Sequence, residues 1–317
     1  MDPQNCQGQV DVLVVGSCNT DLISYVSRFP RAGETIHGHR FSTGFGGKGA
    51  NQCVMAARLG ARTAMVGKVG DDSFGRDTLQ NFKDNAVITD YLKVAPDSAT
   101  GVAPITVADN GQNSIVIVSG ANFLVTETEV EQAISQMSSA KVLVCQLEIR
   151  PEITLAALKA AKAKGITTIL NPAPGVAGLG DEFYSNADFF CPNESEAEVL
   201  TGLPVTTVDE AKTASVALLQ KGCKAVVITL GGDGIVYLTM DAQSPVHLPV
   251  TPVQAVDTTG AGDAFIGSFA YFLAHHAALP LDEILRRACR IATISVLQPG
   301  TQTSFPWRKD LPEELLS

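Results

Sequence analysis

Ala255 to Ala270, AVDTTGAGDAFIGSFA, is a small-residue turn feeding an apolar helix, with one carboxylate, Asp263, at the joint. Asp257 and two threonines precede Gly260-Ala261-Gly262, and then Phe265, Ile266, Phe269, Ala270, Phe272 and Leu273 recur at helical spacing. The glycines allow backbone angles closed to residues with a Cβ and let a ligand approach the main chain. The first N–H groups of a helix lack internal partners and sit at the positive end of its dipole, so the joint is a ready anion site suited to phosphate. An acid in a first helical turn is, by itself, ordinary dipole complementarity. Beside an anion hole, the same carboxylate can take a proton from a hydroxyl that attacks the bound phosphate.

Around this joint the chain reads as one globular α/β protein. Its 317 residues can bury a large core, and 45% hydrophobic against 18% charged residues exclude disorder. A net charge of −10 argues against nonspecific binding to nucleic acid or anionic membrane, both of which need basic patches. Seven cysteines (6, 18, 53, 145, 191, 223 and 289) lack a C-x-x-C pair and make a poor disulfide framework, so reduced, buried, inert thiols are expected. The start, MDPQNCQGQVDV, has no basic n-region, and no run approaches the ~18 apolar residues of a membrane span. A soluble cytoplasmic protein follows, with the nucleus also open to it. No internal repeat or low-complexity segment is present.

Val10 to Val15 is a continuous apolar run of the kind buried on both faces of a parallel sheet. Strands are likewise expected over Thr63–Val69, Val142–Leu147, Ile166–Leu170, Ala187–Cys191, Ala225–Leu230 and Ile235–Thr239. Helices lie between: one running to Gly60, one capped by Ser73, one with a Thr126/Glu129 capping box, and one with Pro151 in its first turn and Gly165 at its end. Repeated strand–helix order implies a parallel sheet covered on both faces, with ligands at the carboxyl ends of its strands, where Glu148 falls. Two stretches break the pattern. Glu34 to Thr43 reads as extended, with His37 and His39 on one side as ordinary strand residues, since no further metal ligands stand near. Thr100 to Ala121 reads as two strands turning at Asn110-Gly111.

Gly44-x-Gly46-x-x-Gly49 satisfies the dinucleotide fingerprint, with Asp71 or Asp72 downstream, so a dehydrogenase is a genuine alternative. The apolar strand that should precede the glycines is missing, since Thr35 to Thr43 is not one. Nor is this a P-loop, because Gly49 follows Lys48 where Ser or Thr is required. Asn19 and Asp21, two apart, point to one side of an extended segment or mark a polar turn. Asn193 and Glu196 fit a helix cap on spacing alone.

GFGGKGANQ and DTTGAGD, in that order along the chain, resemble the amino- and carboxy-terminal signatures of the ribokinase (PfkB) family of carbohydrate kinases, and the likeness runs over nearly the whole chain. The resemblance implies a single ribokinase-like α/β domain, 1–317, whose central, mostly parallel sheet carries helices on both faces. A small β-sheet lid would be formed by about 18–44 and 99–121. It implies ATP-dependent phosphorylation of D-ribose or, in a sister enzyme, of deoxyribose, fructose or a nucleoside. Asp263 would be the base, and the N–H groups of Gly260, Ala261 and Gly262 the anion hole. Asn19, Asp21, Gly46, Gly47, Lys48, Asn51 and Glu148 would bind the sugar. Asn193, Glu196, Thr229, Gly231, Gly234, Gly262 and Cys289 would serve ATP and its Mg2+, Cys289 standing where relatives often carry His or Asn. A K+ ion would be held by the side chains of Asp257 and Ser304 and main-chain oxygens of Thr259, Ser295, Gln298 and Gly300. A homodimer through the lid is implied as well. A catalytically silent protein of this fold is disfavoured, because Asp263, Lys48 and the glycines are all intact.

Overall fold

A computed structural model describes residues 9–316. Strand β1 (Val12–Val15) is fully buried along its length. Its side chains alternate, so Val12 and Val14 enter one hydrophobic cluster while Leu13 and Val15 enter the other. That two-sided burial, worth roughly 1.5–3 kcal/mol per large aliphatic side chain, is why the run has no polar face.

β1 lies inside a nine-stranded sheet with β4 (Thr63–Gly70), β5 (Leu92–Ala95), β8 (Val142–Cys145), β9 (Thr167–Leu170), β10 (Phe189–Phe190), β11 (Ala225–Thr229), β12 (Ile235–Thr239) and β13 (Val246–Leu248). Their order is β13-β12-β11-β10-β9-β8-β1-β4-β5, and only β12 runs against the others, pairing antiparallel with both β11 and β13. One face carries α1 (Lys48–Arg58), α8 (Ala261–His275) and α9 (Leu281–Ser295), the helices that hold Met55, Phe269 and Leu285. The other carries α3 (Glu127–Gln136), α4 (Pro151–Ala163) and α7 (Val208–Leu219). From β1 the chain moves to β4 on one side and later to β8 on the other. That reversal opens a crevice at the carboxyl ends of β1 and β8.

A separate four-stranded sheet, β3-β2-β6-β7, is built from β2 (Asn19–Val26), β3 (Arg40–Gly46), β6 (Gly101–Ala108) and β7 (Asn113–Ile115). β2 leaves β1 after three residues, so Asn19 and Asp21 start in the crevice and continue into the small sheet.

Two local expectations need correction. β3 begins only at Arg40, because its partner β2 pairs no further than Tyr25, so His37 and His39 precede the strand; His39 instead approaches Asp109 at 3.6 Å. The β6–β7 turn does fall on Asn110-Gly111, as expected, within a slightly longer loop. The Ala108 N–H donates to the Gln112 carbonyl, and Gly111 alone takes a left-handed φ of 82°, which makes a three-residue loop. Helix α2 (Ser73–Asp84) is capped by Asp72, whose side chain accepts from the Gly75 N–H; Ser73 is the first helical residue. The same carboxylate accepts from the Thr100 N–H and hydroxyl and so ties β4 to the start of β6.

Among the described residues all six cysteines are buried and unpaired, as expected, and no helix is long and apolar enough to cross a membrane. Cys6 and the first eight residues lie outside them.

Candidate active site

Helix α1 begins at the crevice because its first turn packs directly on the end of β1. A Cβ at Gly49 would sit 2.6 Å from the Ser17 nitrogen, so only glycine permits this approach. Gly47, at φ 87°, turns the chain in from β3. The leading N–H groups need acceptors, and Glu148, just past β8, supplies one: its Oε2 accepts from the Lys48 N–H at 2.9 Å and from the Ser17 hydroxyl at 2.6 Å. Glu148 is therefore bound to the backbone of the sugar-motif helix.

Asp263, in the first turn of α8, is 8% exposed. Its Oδ2 accepts from the Asn51 amide at 2.9 Å and its Oδ1 from the Gln52 amide at 2.8 Å, so neighbouring α1 residues hold both oxygens. Behind them runs a buried amide network. Gln302 donates to Asn51 Oδ1 at 2.9 Å, Gln146 donates to Gln52 Oε1 at 2.6 Å, and Gln52 also reaches Asn171 at 3.1 Å. Every amide fixed this way leaves the carboxylate less freedom to rotate, which a base aimed at one hydroxyl requires. Asn51, expected on the sugar, thus spends both ends of its side chain on Asp263 and Gln302.

Gly260 caps α8 at φ 80°, and a Cβ there would strike Thr301 Cγ2 at 2.5 Å, because loop 296–304 packs against the turn. At Gly262, by contrast, a Cβ would meet nothing within 4 Å, so the helix N-terminus is open at this position. Asp257 Oδ1 accepts from the Thr259 N–H and Oδ2 from the Gly300 N–H, each at 2.9 Å, which joins the two halves of the expected ion loop. These bonds outweigh burial and hold the carboxyl below its ordinary range. The Ser304 hydroxyl donates to the Thr301 carbonyl, and the Ser295 carbonyl accepts weakly from the Gln298 N–H at 3.4 Å.

Glu148, Glu196 and Asp263 surround one cation, Lys48. Burial works against its charge, but Asp263, Glu148 and Glu196 outweigh it and raise the Lys48 pKa. Asp21 is pushed up to about 7, by burial first and then by Glu148 and Asp263. Burial likewise raises Glu196, whose Oε2 accepts from the Asn193 N–H while Asn193 accepts in return. The capping box at α6 (Glu194–Thr201) therefore forms in full, and it presents Glu196 to Lys48 as well. Asn19, 3% exposed, accepts from Asn122 at 2.7 Å, and Asn122 also bonds both backbone groups of Cys18.

A testable consequence concerns Asp21. Its folded pKa near 7 exceeds the unfolded value near 3.9, so the native state holds the proton more tightly and stability falls as pH rises from about 4 to 7. Asp21→Asn is expected to abolish that fall, gaining up to roughly 4 kcal/mol over the native protein at pH 8 and little at pH 4. Urea unfolding of both proteins at the two pH values measures it.

Asn193 bridges to Thr229 at the end of β11, and Gly231 and Gly234 turn the chain into β12. A Cβ on Gly234 would lie 2.2 Å from the Leu248 carbonyl. Leu248 borders a cavity of about 360 Å³ that continues along Val250, Val253, Cys289, Thr293 and Leu297. The Cys289 thiol, pushed up to about 12 by burial, stays protonated there and serves as an apolar wall. Of the expected nucleotide residues only Cys289 lines this cavity, and Gly234 meets its border at Leu248.

Residue reasoning gave no role to Gln52, Gln146, Asn171, Gln302 or Asn122. Gln52 closes the GFGGKGANQ motif, and a polar residue amid the buried run Gly49–Ala56 was its one signal. The glycines of the dinucleotide fingerprint fall partly within β3, in the small sheet, where no buried strand precedes them. Asp72 is engaged at the α2 cap, far from such a role.

The pattern of the pfkB family carbohydrate kinases matches residues 9–308. The ribokinase of Mus musculus is 52% identical over 301 residues, spanning 95% of this chain and 93% of that protein. The deoxyribokinase of Salmonella typhimurium is 40% identical, spanning 94% and 96%. A structure of Arabidopsis thaliana ribokinase complexed with ribose and ATP superposes with a TM-score of 0.87 at 32% identity, covering 97% of this chain and 99% of that one. The chain belongs to the pfkB family of carbohydrate kinases.

Proposed function

We propose that this protein transfers the γ-phosphoryl group of ATP to the 5-hydroxyl of D-ribose, giving D-ribose 5-phosphate and ADP. The observation that carries the reading is Asp263, clamped by Asn51 and Gln52 at the open helix N-terminus beside Gly262. The ribokinase relatives, one of them bound to ribose and ATP, support the choice of substrates.

The sugar lies in the crevice against Asn19, Asp21, Gly46, Gly47 and Lys48, with Glu148 fixing the helix that carries Lys48. Asp263 takes the proton of the 5-hydroxyl, whose oxygen attacks the γ-phosphorus as the bond to the bridging oxygen of ADP breaks. The N–H groups of Gly260, Ala261 and Gly262 receive the charge on the moving phosphoryl group, and Lys48 opposes the surrounding carboxylates. Catalysis is then chiefly positioning and electrostatics, as phosphoryl transfer requires. The adenine occupies the cavity beside Cys289, and closure of the small sheet excludes water from the sugar.

Among the described residues no group of three or more His, Cys, Asp or Glu side chains is placed to hold a metal. A divalent ion would therefore rest on the nucleotide phosphates and on Asn193 and Glu196 through water, an arrangement suited to Mg2+, whose charge would neutralise that of the phosphates. A monovalent ion would be held by the Asp257 carboxylate, the Ser304 hydroxyl and the main-chain carbonyls of Thr259, Ser295, Gln298 and Gly300, all of them oxygen donors. That set fits K+, which would shape the anion hole without touching substrate. Turnover is expected to rise several-fold with KCl and not with NaCl at equal ionic strength; equal rates in the two salts would refute the ion assignment.

At one edge of the small sheet β3 exposes Phe41 (63%), and at the other β7 and the residues after it expose Ile115, Val116 (60%), Ile117 and Val118. Exposed apolar residues on and beside edge strands support a homodimer formed lid to lid. Light scattering should give about twice the 33.3 kDa chain mass, and a monomer would count against it. Unpaired buried cysteines support a cytoplasmic setting.

A second reading, 2-deoxy-D-ribose as acceptor, is favoured by the deoxyribokinase relatives. The kcat/KM values for the two sugars, measured side by side, decide it. A site that hydrogen-bonds the 2-hydroxyl prefers ribose by well over tenfold, and a preference for deoxyribose would reverse the assignment.

A further inference from the structure

At the far end of α1, about 15 Å along the helix from Lys48, lies a second cavity. It has a volume of about 550 Å³ and is lined by Arg58, Trp307, Arg308, Lys309, Leu311 and Glu313. The chain carries a net charge of −10, yet among the described residues these three cations form no ion pair and the lining holds a single carboxylate. Two of them are held in place by neutral partners. Arg58 donates to Asn85 Oδ1 and to the carbonyls of Gln302 and Phe305, and its guanidinium stacks over the Trp307 ring at 4.8 Å. Arg308 donates through one nitrogen, Nη1, to the Leu59 carbonyl and the Tyr271 hydroxyl. Burial lowers the Arg58 pKa, with no carboxylate to offset it. A guanidinium fixed in this way loses little further freedom when it meets an oxyanion.

We propose that this cavity binds a small phosphate-bearing anion, with the phosphate on Arg308 and Lys309 before Arg58 and the carbon body against Trp307 and Leu311. Two positive charges remain over Glu313, which matches a phosphate dianion. The occupant would also touch the catalytic network, because Arg58 holds the Gln302 carbonyl and the Gln302 amide holds Asn51 beside Asp263.

Trp307 is the only tryptophan of the chain and is 39% exposed, so its emission reports on this cavity. The native protein is titrated with inorganic phosphate and with glycerol 3-phosphate, chloride holding the ionic strength constant, and the titrations are repeated in Arg308→Ala and Lys309→Glu. A saturable change in emission is expected with a phosphate compound and not with chloride. Its half-saturation should rise at least about tenfold in the variants, as loss of a charge-assisted contact implies. Lys309 is exposed and makes no side-chain bond among the described residues, so its variant keeps the test valid if Arg308→Ala unfolds. No saturable change with either compound, or half-saturation unchanged in both variants, would overturn the proposal.

Discussion

Asp263→Asn is expected to lower kcat by about 10³ to 10⁴ while leaving the KM for ribose within a few-fold, because the lost proton transfer acts only in the transition state. The substitution keeps the shape of the side chain but turns one oxygen into a donor. That donor then faces the amide of Asn51 or Gln52, both of which already point inward. One buried donor loses its acceptor, at a cost of about 1–3 kcal/mol in stability. Thermal unfolding should therefore show a modestly lower Tm alongside the lost turnover. Asp263→Ala, which removes the facing group altogether, should be as inactive. A variant that keeps more than about a tenth of native kcat would remove Asp263 from the base role.

The second large effect is expected at Lys48. With Glu148, Glu196 and Asp263 around it, Lys48 would be the charge that lets a polyanionic nucleotide approach these carboxylates. Lys48→Met should reduce kcat/KM by about 10² to 10³, on the scale of losing one preorganised donor to a transition state. It should also raise the pKa of the remaining carboxylates, so the acid limb of the pH–rate profile moves to higher pH. Lys48→Arg should rescue poorly, since a planar fork cannot replace a compact ammonium in this space. A steady-state pH series on the three proteins measures both effects. An unshifted acid limb in Lys48→Met would contradict the electrostatic account.

Much of this arrangement is legible in the residues. The apolar run at β1, the glycines before α1 and α8, and the capping boxes at Thr126 and Asn193 act locally, so spacing alone carries them. The short β10 was also visible, although Ala187 to Cys191 shrinks to Phe189 and Phe190, where both neighbours offer pairing partners. What stayed hidden depends on distance along the chain. Asn51 and Gln52 meet Asp263 across 212 and 211 residues, and Gln302 meets Asn51 across 251. No periodicity encodes such contacts, and a buried amide in a sequence looks like any other polar residue. The cap of α2 failed for a related reason: Asp72 and Ser73 are equally good caps, and Asp72 prevails through its bonds to Thr100, which comes from the other sheet. The extent of β3 likewise depends on its partner, since nothing in Glu34 to His39 announces that β2 pairs no further than Tyr25.

The most direct test of the central claim is ADP formation by the purified protein with ATP, Mg2+ and K+, run with and without D-ribose, the sugar product being identified by phosphorus NMR. The account predicts ADP formation that depends on ribose, with one phosphate monoester placed on the 5-oxygen. Nucleotide binding without ribose-dependent ADP, or a phosphate carried on any other oxygen, would contradict it.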